Sequence, residues 1–410
     1  MKKLQLAVIS DIHVGPGARA KDLCPPATAE WKNKFDDGYV KKFQSFIKHM
    51  KIRADYLILP GDATDQAQPL EVELASKVIL EVAQTLGVPE EHIIFVPGNH
   101  DVDWTTLSTP DPTGIRLGQR YECINHGKYT FNAITKRGRG SLFESPYYTI
   151  WESNPDLLVV GYNSSHHDQP HQAHYGLIHP DHMELMRRDL SKFAISNDQL
   201  RLFLIHHHPI PYTDPTHDHP DLSIMINSES LLSLLREFRF DMLIHGHKHA
   251  PRFTTTSLQG GREVAILCSG SFSVDIDSRW IGCVTNQFHL VTIDERDEDE
   301  KVVKGTVESW AYTYAKGWQP SEAPHDGIAH VEQFGTYLRP GKLEAQLEPL
   351  ISASLLTSPF VEWTNLAKQN PMLRHLRSEE VIRALDGLAA KMGFRRIFDA
   401  PHKIILIKEG

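Results

Sequence analysis

The sequence predicts an α/β protein in which short buried strands alternate with amphipathic helices. Two stretches, 40–52 and 70–86, carry apolar residues at three- and four-residue spacing, as amphipathic helices require. Five apolar runs are too short for helices and lack clean polar alternation, which is typical of buried strands. They cover residues 4–9, 56–59, 93–96, 202–205 and 242–244. A polar segment follows each run, so we expect a site at the carboxyl ends of the strands.

Five short polar segments carry the candidate chemistry. They are Asp11-Ile12-His13, Gly61-Asp62-Ala63-Thr64-Asp65, Gly98-Asn99-His100-Asp101, His206-His207-His208-Pro209 and Gly246-His247-Lys248-His249. Together they supply aspartate carboxylates, one side-chain amide and at least four imidazoles. This is the ligand inventory of two divalent metal ions that share a site. A binuclear metal centre is therefore the first hypothesis.

Each segment also has an ordinary structural interpretation. Asp62 and Asp65 follow a strand, where aspartate commonly accepts hydrogen bonds from free backbone amides, and Gly98-Asn99 is a turn signal. His247 and His249 are two residues apart and point the same way on an extended segment, which also arises by chance. Because independent coincidence of all five segments is improbable, the set favours metal binding.

The five segments, in this order, resemble the pattern of the calcineurin-like metallophosphoesterase superfamily: D-x-H, G-D-x-x-D, G-N-H-D/E, a histidine block and G-H-x-H. Every part of the pattern is present, and the resemblance covers about residues 4–295. It implies two facing β-sheets flanked by helices, a four-layer sandwich, with two metal ions at the sheet ends. The implied ligands are Asp11, His13 and His249 for one ion, Asp62 as the bridge, and Asn99, His207 and His247 for the other.

The histidine block leaves its register open because three histidines are consecutive. In similar His-His-Pro and His-His-His-Pro sequences the ligand is the residue two before the proline, which is His207 here. His206 and His208 would then face elsewhere or touch the substrate. The expected substrate contacts are Asn99, His100 and His208.

Two metal ions about 3.5–4 Å apart clamp a phosphoryl oxygen and lower the pKa of a water molecule, which supplies hydroxide for in-line attack on phosphorus. One carboxylate can give an oxygen to each ion, which suits Asp62. The leaving alkoxide needs a proton, and His100 resembles the family residue that donates it. Asp101 would orient that imidazole or, equally, cap the start of a helix. Mixed nitrogen and oxygen ligands suit manganese (Mn), iron (Fe), zinc (Zn), cobalt (Co) or nickel (Ni).

A further histidine-rich segment lies at 166–182. Such tracts can bind metal, but the irregular spacing and the interleaved prolines favour an active-site rim or a solvated loop over a third metal site.

Composition excludes several classes of protein. Lys+Arg 43 against Asp+Glu 52 gives a formal net charge of -9, which argues against a protein that coats nucleic acid. No apolar stretch is long enough to span a bilayer, and the N-terminal apolar run lacks a signal-peptide cleavage site. The four cysteines form no Cys-x-x-Cys pair or disulfide framework. We therefore expect a cytoplasmic protein.

The last quarter of the chain has a different character. We predict a catalytic domain over 1–315, a linker or surface strap over 316–344, and a small α+β domain over 345–410. Within that domain, 361–369 and 379–392 are predicted helices, followed by a strand pair. It is predicted to be winged-helix-like or to mediate oligomerisation.

The function expected from these features is that of a binuclear metal-dependent phosphoester hydrolase. A phosphodiesterase that acts on a nucleotide-type diester is favoured, because the His-His-His-Pro block resembles that of bacterial cyclic-nucleotide phosphodiesterases. The alternative is a DNA or RNA nuclease, since Asp11-Ile12-His13-Val14-Gly15 resembles the first block of repair nucleases in the same superfamily. A non-catalytic metal-binding scaffold is the third possibility. Expected partners are a nucleotide-like phosphoester, with nucleic acid as the alternative, and no membrane.

Overall fold

The protein is described from a computed structural model. The description covers residues 3–408 apart from 27, 104–146, 154–155, 167–174, 194–195, 197, 212–223, 258–262, 277–283, 298–301, 324–325, 339 and 398–403. The α-helices within these residues are α1 Tyr39–Met50, α2 Pro69–Leu86, α3 Pro180–Leu190, α4 Ser228–Glu237, α5 Pro340–Thr357, α6 Trp363–Gln369 and α7 Ser378–Met392. The strands are β1 Leu4–Val8, β2 Tyr56–Leu59, β3 Ile93–Phe95, β4 Tyr148–Ser153, β5 Leu157–Tyr162, β6 Leu200–Ile205, β7 Met242–His245, β8 Arg252–Ser257, β9 Glu263–Cys268, β10 Asn286–Arg296, β11 Val303–Thr313, β12 Gly317–Pro320, β13 Val331–Phe334, β14 Phe360–Glu362, β15 Phe394–Arg396 and β16 Ile405–Lys408.

The first sheet has the strand order β12-β11-β10-β1-β2-β3, and β13 also pairs with β11. Strands β1, β2 and β3 run parallel, whereas β10 lies antiparallel to β1, with Leu4 opposite Ile293. Helices α1 and α2 cover the outer face, where Phe43 and Ile79 join Leu59 in one buried cluster. Their helical spacing of apolar residues is what the sequence predicts for this layer.

The second sheet has the order β4-β5-β6-β7-β9-β8. Its four central strands are parallel, and the antiparallel strands β4 and β8 form the edges. Helices α3 and α4 cover its outer face, where Met186 and Leu234 pack with Phe203. A parallel centre with helical cover buries both faces of each strand, which explains why these strands are continuous apolar runs.

The two sheets face each other across a shared core. Val8 and Ile58 of the first sheet meet Leu204 and Ile244 of the second in this cluster. The layers therefore run helix, sheet, sheet, helix, which confirms the predicted α/β fold with two facing β-sheets. Because β1 to β3 and β6 to β7 are parallel within their sheets, each group presents its carboxyl ends at one edge.

After β13 the chain forms a small unit with the element order α5-β14-α6-α7-β15-β16. Its three-stranded antiparallel sheet has the order β14-β16-β15, and it has its own core, which includes Leu347, Leu385 and Leu406. Polar contacts join it to the larger unit: Nη1 of Arg377 donates to Oγ1 of Thr255 at 2.7 Å.

The region predicted as a linker or surface strap, 316–344, contains two short strands and the start of a helix, which the sequence analysis did not predict. Strands β12 and β13 both pair with β11 and so extend the first sheet, and α5 begins at Pro340. These elements were not predicted from the sequence, for two reasons. Each strand has only four residues, too few to show a period, and α5 contains Pro349, which normally breaks a helix.

Among the residues described, no helix is both long enough and apolar enough to cross a membrane.

Candidate metal centre

All five polar segments lie at the edge where the parallel strands end. Asp11 follows β1, Asp62 follows β2 and Asn99 follows β3. His206 directly follows β6, and His247 follows β7. Since the two sheets face each other, their loops bring these side chains together, as expected for the carboxyl edge of parallel strands.

Five of the predicted ligands have left-handed backbone conformations, which non-glycine residues seldom adopt. The angle φ is 50° at Asp11, 51° at His13, 53° at Asp62, 72° at His247 and 52° at His249. Hydrogen bonds between loops hold this backbone: the N–H of Asp11 donates to the carbonyl of Gly61 and the N–H of His13 to that of Asp62, both at 3.0 Å. Backbone strain of this kind clusters at functional sites.

One group of donor atoms comprises Asp11, His13, Asp62 and His249, whose ligand atoms all lie within 4.8 Å of one another. Nε2 of His249 lies 3.1 Å from Oδ1 of Asp11. Nε2 of His13 lies 3.5 Å from Oδ2 of Asp62 and 4.0 Å from Oδ1 of Asp11. Three loops from both sheets therefore contribute to this group.

A second group is built around Asn99. Its Oδ1 lies 3.0 Å from Nε2 of His206 and 3.2 Å from Nδ1 of His247. Nε2 of His206 also lies 3.1 Å from Oδ2 of Asp62. The carboxylate of Asp62 thus belongs to both groups.

The histidine that contacts both Asn99 and Asp62 is His206, whereas the sequence analysis chose His207 as the ligand. Nδ1 of His206 lies 2.8 Å from the carbonyl of Pro60, so the ring is held with Nε2 toward Asp62. Nδ1 of His207 instead lies 2.8 Å from Oγ of Ser164.

The alternation of side chains along β6 explains this register. Leu202 and Leu204 face the core between the sheets, whereas Phe203 and Ile205 face the helices. Since successive side chains of a strand point to opposite faces, His206 continues the face directed at the first sheet, where Asp62 lies.

Replacement of His206 should therefore weaken metal binding. We expect His206→Ala to lower the affinity of one metal position by at least about 10- to 100-fold, the scale observed even for residues that only orient metal ligands. His207→Ala is the matched control and should keep an affinity close to wild type. Titration of metal-stripped protein against a chromophoric chelator measures both. A larger loss in His207→Ala than in His206→Ala would reverse the assignment.

The donor set fits divalent cations. Donors that lie about 2.1 Å from one ion are about 3.0–3.4 Å from each other. Five of the six contacts given above within the two groups span 3.0 to 3.5 Å, and the sixth, between His13 and Asp11, is 4.0 Å. Nε2 of His13 is buried and has no hydrogen-bond partner among the described residues. Such an atom costs roughly 1–3 kcal/mol, and a cation between it and the carboxylates would satisfy it.

The electrostatics favour cations at Asp62. Burial lowers the pKa of His13, but its aspartate neighbours Asp62, Asp65 and Asp11 outweigh burial and raise it to about 10. Burial likewise lowers the pKa of His206, and Asp62 more than compensates, raising it to about 9. For His247, burial and the adjacent histidines lower the pKa well below its usual value. His247 is therefore a neutral imidazole, the form that binds metal.

His100 lies at the mouth of the site, with its side chain 38% exposed. Its backbone N–H donates to Oδ1 of Asp62 at 2.9 Å, and its Nδ1 lies 2.8 Å from the carbonyl oxygen of Asp65. Because Nδ1 must donate to that carbonyl, Nε2 is the atom left for proton transfer. The ring centroid is 4.5 Å from that of His13, which places the ring beside the first group.

Asp101 does not orient His100, which corrects the prediction. Its buried carboxylate accepts hydrogen bonds from the backbone N–H groups of Gly98 at 2.9 Å, Ala63 at 3.2 Å and Thr64 at 2.9 Å. It ties the loop after β3 to the loop after β2, in the manner of the backbone cap considered as its alternative. The turn at Asn99–Asp101 is a single 3₁₀ turn, so neighbouring side chains point in different directions.

Asp65 is the functional residue to which the sequence analysis assigned no role. Its Oδ1 lies 3.2 Å from Nδ1 of His13 and 3.8 Å from Nδ1 of His100. A carboxylate behind a metal-binding histidine fixes the ring and raises its basicity. The available signal was its position as the last aspartate of the G-D-x-x-D block.

The glycines of the motifs are required by close packing. A Cβ on Gly98 would collide with the carboxylate of Asp62, and one on Gly61 would lie 2.5 Å from Nδ1 of His206. Gly61 also has φ of 106°, which favours glycine. The glycine before each ligand therefore lets adjacent loops approach within contact distance.

His208 and the described histidines of the histidine-rich segment, His166, His179 and His182, are not members of the two groups. His208 is fully buried, and its ring centroid is 6.0 Å from that of His247, so its burial disfavours the predicted substrate contact. Of segment 166–182, residues 167–174 lie outside the described residues. His182 stacks on Tyr147 with ring centroids 3.7 Å apart, an aromatic packing contact.

The family model described as calcineurin-like phosphoesterase matches residues 4–251. No curated protein matches the sequence. Similar solved structures include a predicted phosphoesterase from Streptococcus pneumoniae (12% identity, TM-score 0.32, 82% of this chain and 99% of that chain). A second is a phosphopantetheinyl hydrolase from Mycobacterium tuberculosis, with 15% identity and a TM-score of 0.37 over 68% of this chain and 91% of that chain. A third is an NAD nucleotidase from Haemophilus influenzae, with 10% identity and a TM-score of 0.39 over 78% of this chain and 60% of that chain.

Proposed function

The chain belongs to the calcineurin-like phosphoesterase family, and from that membership we propose that it hydrolyses phosphodiesters of the nucleotide type with two divalent metal ions. The observation that carries the proposal is the position of Asp62. Its Oδ2 contacts a histidine of each donor group, His13 at 3.5 Å and His206 at 3.1 Å. A carboxylate shared in this way is what a bridge between two ions requires.

In this proposal each ion is held by residues of both sheets. Asp11, His13, Asp62 and His249 hold the first ion, and Asp62, Asn99, His206 and His247 hold the second. Two such ions supply activation of water and neutralisation of charge on the phosphoryl group. Asp65 positions the ring of His13, and the carbonyl of Pro60 positions the ring of His206.

His100 is the proposed proton donor to the leaving alkoxide. Its Nδ1–H donates to the carbonyl of Asp65, so Nε2 carries a proton only in the imidazolium form of the ring. From that form the Nε2 proton can be given to the leaving oxygen, and the ring is left neutral with its proton on Nδ1. The partial exposure of the ring leaves room for a substrate to approach.

A nuclease is the second candidate, because the small C-terminal unit has the element and strand order of a winged helix. The charges of this unit give only weak support to a nuclease. Three basic side chains on and after α7 are paired with carboxylates: Arg383 with Glu379 at 2.8 Å, Lys391 with Glu348 at 2.7 Å and Arg396 with Asp386 at 2.9 Å. A surface so compensated offers little to phosphates, which favours a small nucleotide over a polymer. The third possibility is a non-catalytic scaffold. It is not supported, because the sequence has lost none of the predicted metal ligands.

Reporter esters test the proposal directly. We expect metal-stripped protein to be inactive and to regain turnover when Mn, Fe, Zn, Co or Ni is restored singly, with a bis-aryl phosphodiester cleaved faster than an aryl phosphomonoester. Faster monoester cleavage would replace the diesterase proposal with a phosphatase. Inactivity with every metal, in protein shown to bind two ions, would overturn hydrolysis of small diesters.

A further inference from the structure

A cavity of about 350 Å³ lies beside the first metal-binding loop and belongs to neither donor group. Its wall includes Pro16, which is three residues after His13, so the two Cα atoms are at most about 11 Å apart. That separation is comparable with the length of a nucleotide. The volume is within the range of sites that bind small molecules.

Two exposed aromatic rings line this cavity. Phe35 is 95% exposed and Tyr314 is 67% exposed. Phe35 is the most exposed of the large apolar side chains in the described part of the chain. Aromatic side chains that are accessible at a cavity can serve as stacking platforms for nucleobases, and stacking tolerates any base because each has a π-face.

The cations of the cavity are already neutralised. Arg19 lies with Nε 3.6 Å from Oδ2 of Asp36, and its guanidinium covers the ring of Tyr312 at 4.6 Å. Nζ of Lys34 donates to the carbonyl of Pro16 at 2.7 Å and lies 3.3 Å from Oδ2 of Asp275. With two cations facing three carboxylates in the lining, the cavity disfavours a phosphate and suits an uncharged ring.

Two polar side chains of the lining are available to that ring. Glu30 and Asn33 make no side-chain hydrogen bond to any residue that the structure describes. An amide offers a donor and an acceptor, and a carboxylate accepts from an exocyclic amine, which are the pairings by which proteins identify base edges.

We propose that this cavity is a nucleobase subsite in which Phe35 and Tyr314 stack on the base while Glu30 and Asn33 hydrogen-bond its edge. The inference rests on the proposed function, since the phosphodiester of the same molecule would lie at the metal centre. It adds a determinant of substrate choice that lies on the connection from His13 to α1, together with the turn after β11.

Binding of adenosine, which has no phosphate, tests the subsite independently of hydrolysis. We expect saturation-transfer NMR to detect transfer to the adenine protons with the wild-type protein. The transfer should be lost in Phe35→Ala and in Tyr314→Ala, and retained in Phe35→Trp. Phe360→Ala is the control, because Phe360 is also an exposed phenylalanine, 48% exposed, but lies on the C-terminal sheet. Absence of transfer to wild type, or equal transfer to wild type and Phe35→Ala, overturns the subsite.

Kinetics give the second readout. For Phe35→Ala we expect the ratio of kcat/KM for a cyclic adenosine diester to kcat/KM for a bis-aryl phosphodiester to fall by about 5- to 100-fold, the range for loss of one stacked base. The loss should appear mainly in KM, because stacking acts far from the reacting phosphorus. If Phe35→Ala is active and this ratio of kcat/KM values is the same as in wild type, the subsite is overturned. Inactivity toward every ester overturns the proposed function instead, and the adenosine measurement then decides the subsite alone.

Discussion

Asp62→Asn is expected to lower metal occupancy at both positions and to reduce turnover by at least roughly 10²-fold, a magnitude that changes around metal ligands commonly reach. The reason is that this carboxylate contacts histidines of both donor groups, so one substitution removes negative charge from both. Metal analysis of the purified variant by mass spectrometry, together with diester turnover, measures the two effects.

Asp198→Asn is the matched control for this substitution. Asp198 is exposed and precedes β6, at the opposite end of the strand from His206. It should retain two ions and full activity. Two fully occupied metal positions in Asp62→Asn, with the fold intact by circular dichroism, would refute the bridge.

His100→Ala is expected to reduce turnover by about 10²–10⁴-fold while metal content stays near wild type, the range for loss of a general acid. The effect should depend on the leaving group. Esters of acidic phenols leave without help, so the loss should be smallest for them and largest for alkyl esters, whose alkoxide needs the proton. Turnover of a series of esters with leaving groups of increasing pKa, with metal content measured in parallel, tests both statements.

His49→Ala serves as control, since His49 is exposed on α1 and makes no contact with the donor groups. If the logarithm of turnover falls with leaving-group pKa at the same slope in wild type and in His100→Ala, His100 does not donate the proton. A simultaneous loss of metal would show that its role is to support the site.

The alternation of buried strands and helices could be predicted because its strands are local in sequence and carry strong signals, whereas the two facing sheets were implied only by the family resemblance. The runs before Asp11, Asp62 and Asn99 are apolar on both faces, and the helices between them have a clear period. Pairings between distant segments could not be predicted in this way. Strand β10 pairs with β1 across more than half of the chain, and β12 and β13 are too short to carry a period of their own.

The inventory of the candidate site was likewise local. Motif order and spacing identified Asp11, His13, Asp62, Asn99 and His249, and the structure brings all of these together. The residue that orients His100 could not be predicted from its sequence neighbours. Asp101 is next to His100 in the sequence but binds backbone amides of another loop. The carbonyl of Asp65, thirty-five residues away, takes that place.

The sequence by itself determined the fold class, the edge of the sheets at which the site lies, and the chemical types of its ligands. Those properties follow from periodicity and from residue chemistry, which are local. Tertiary structure alone decided that His206, and not His207, faces Asp62. The choice depends on the phase of β6 relative to the opposite sheet, because a shift of one residue reverses the face of every side chain, and three consecutive histidines satisfy either phase.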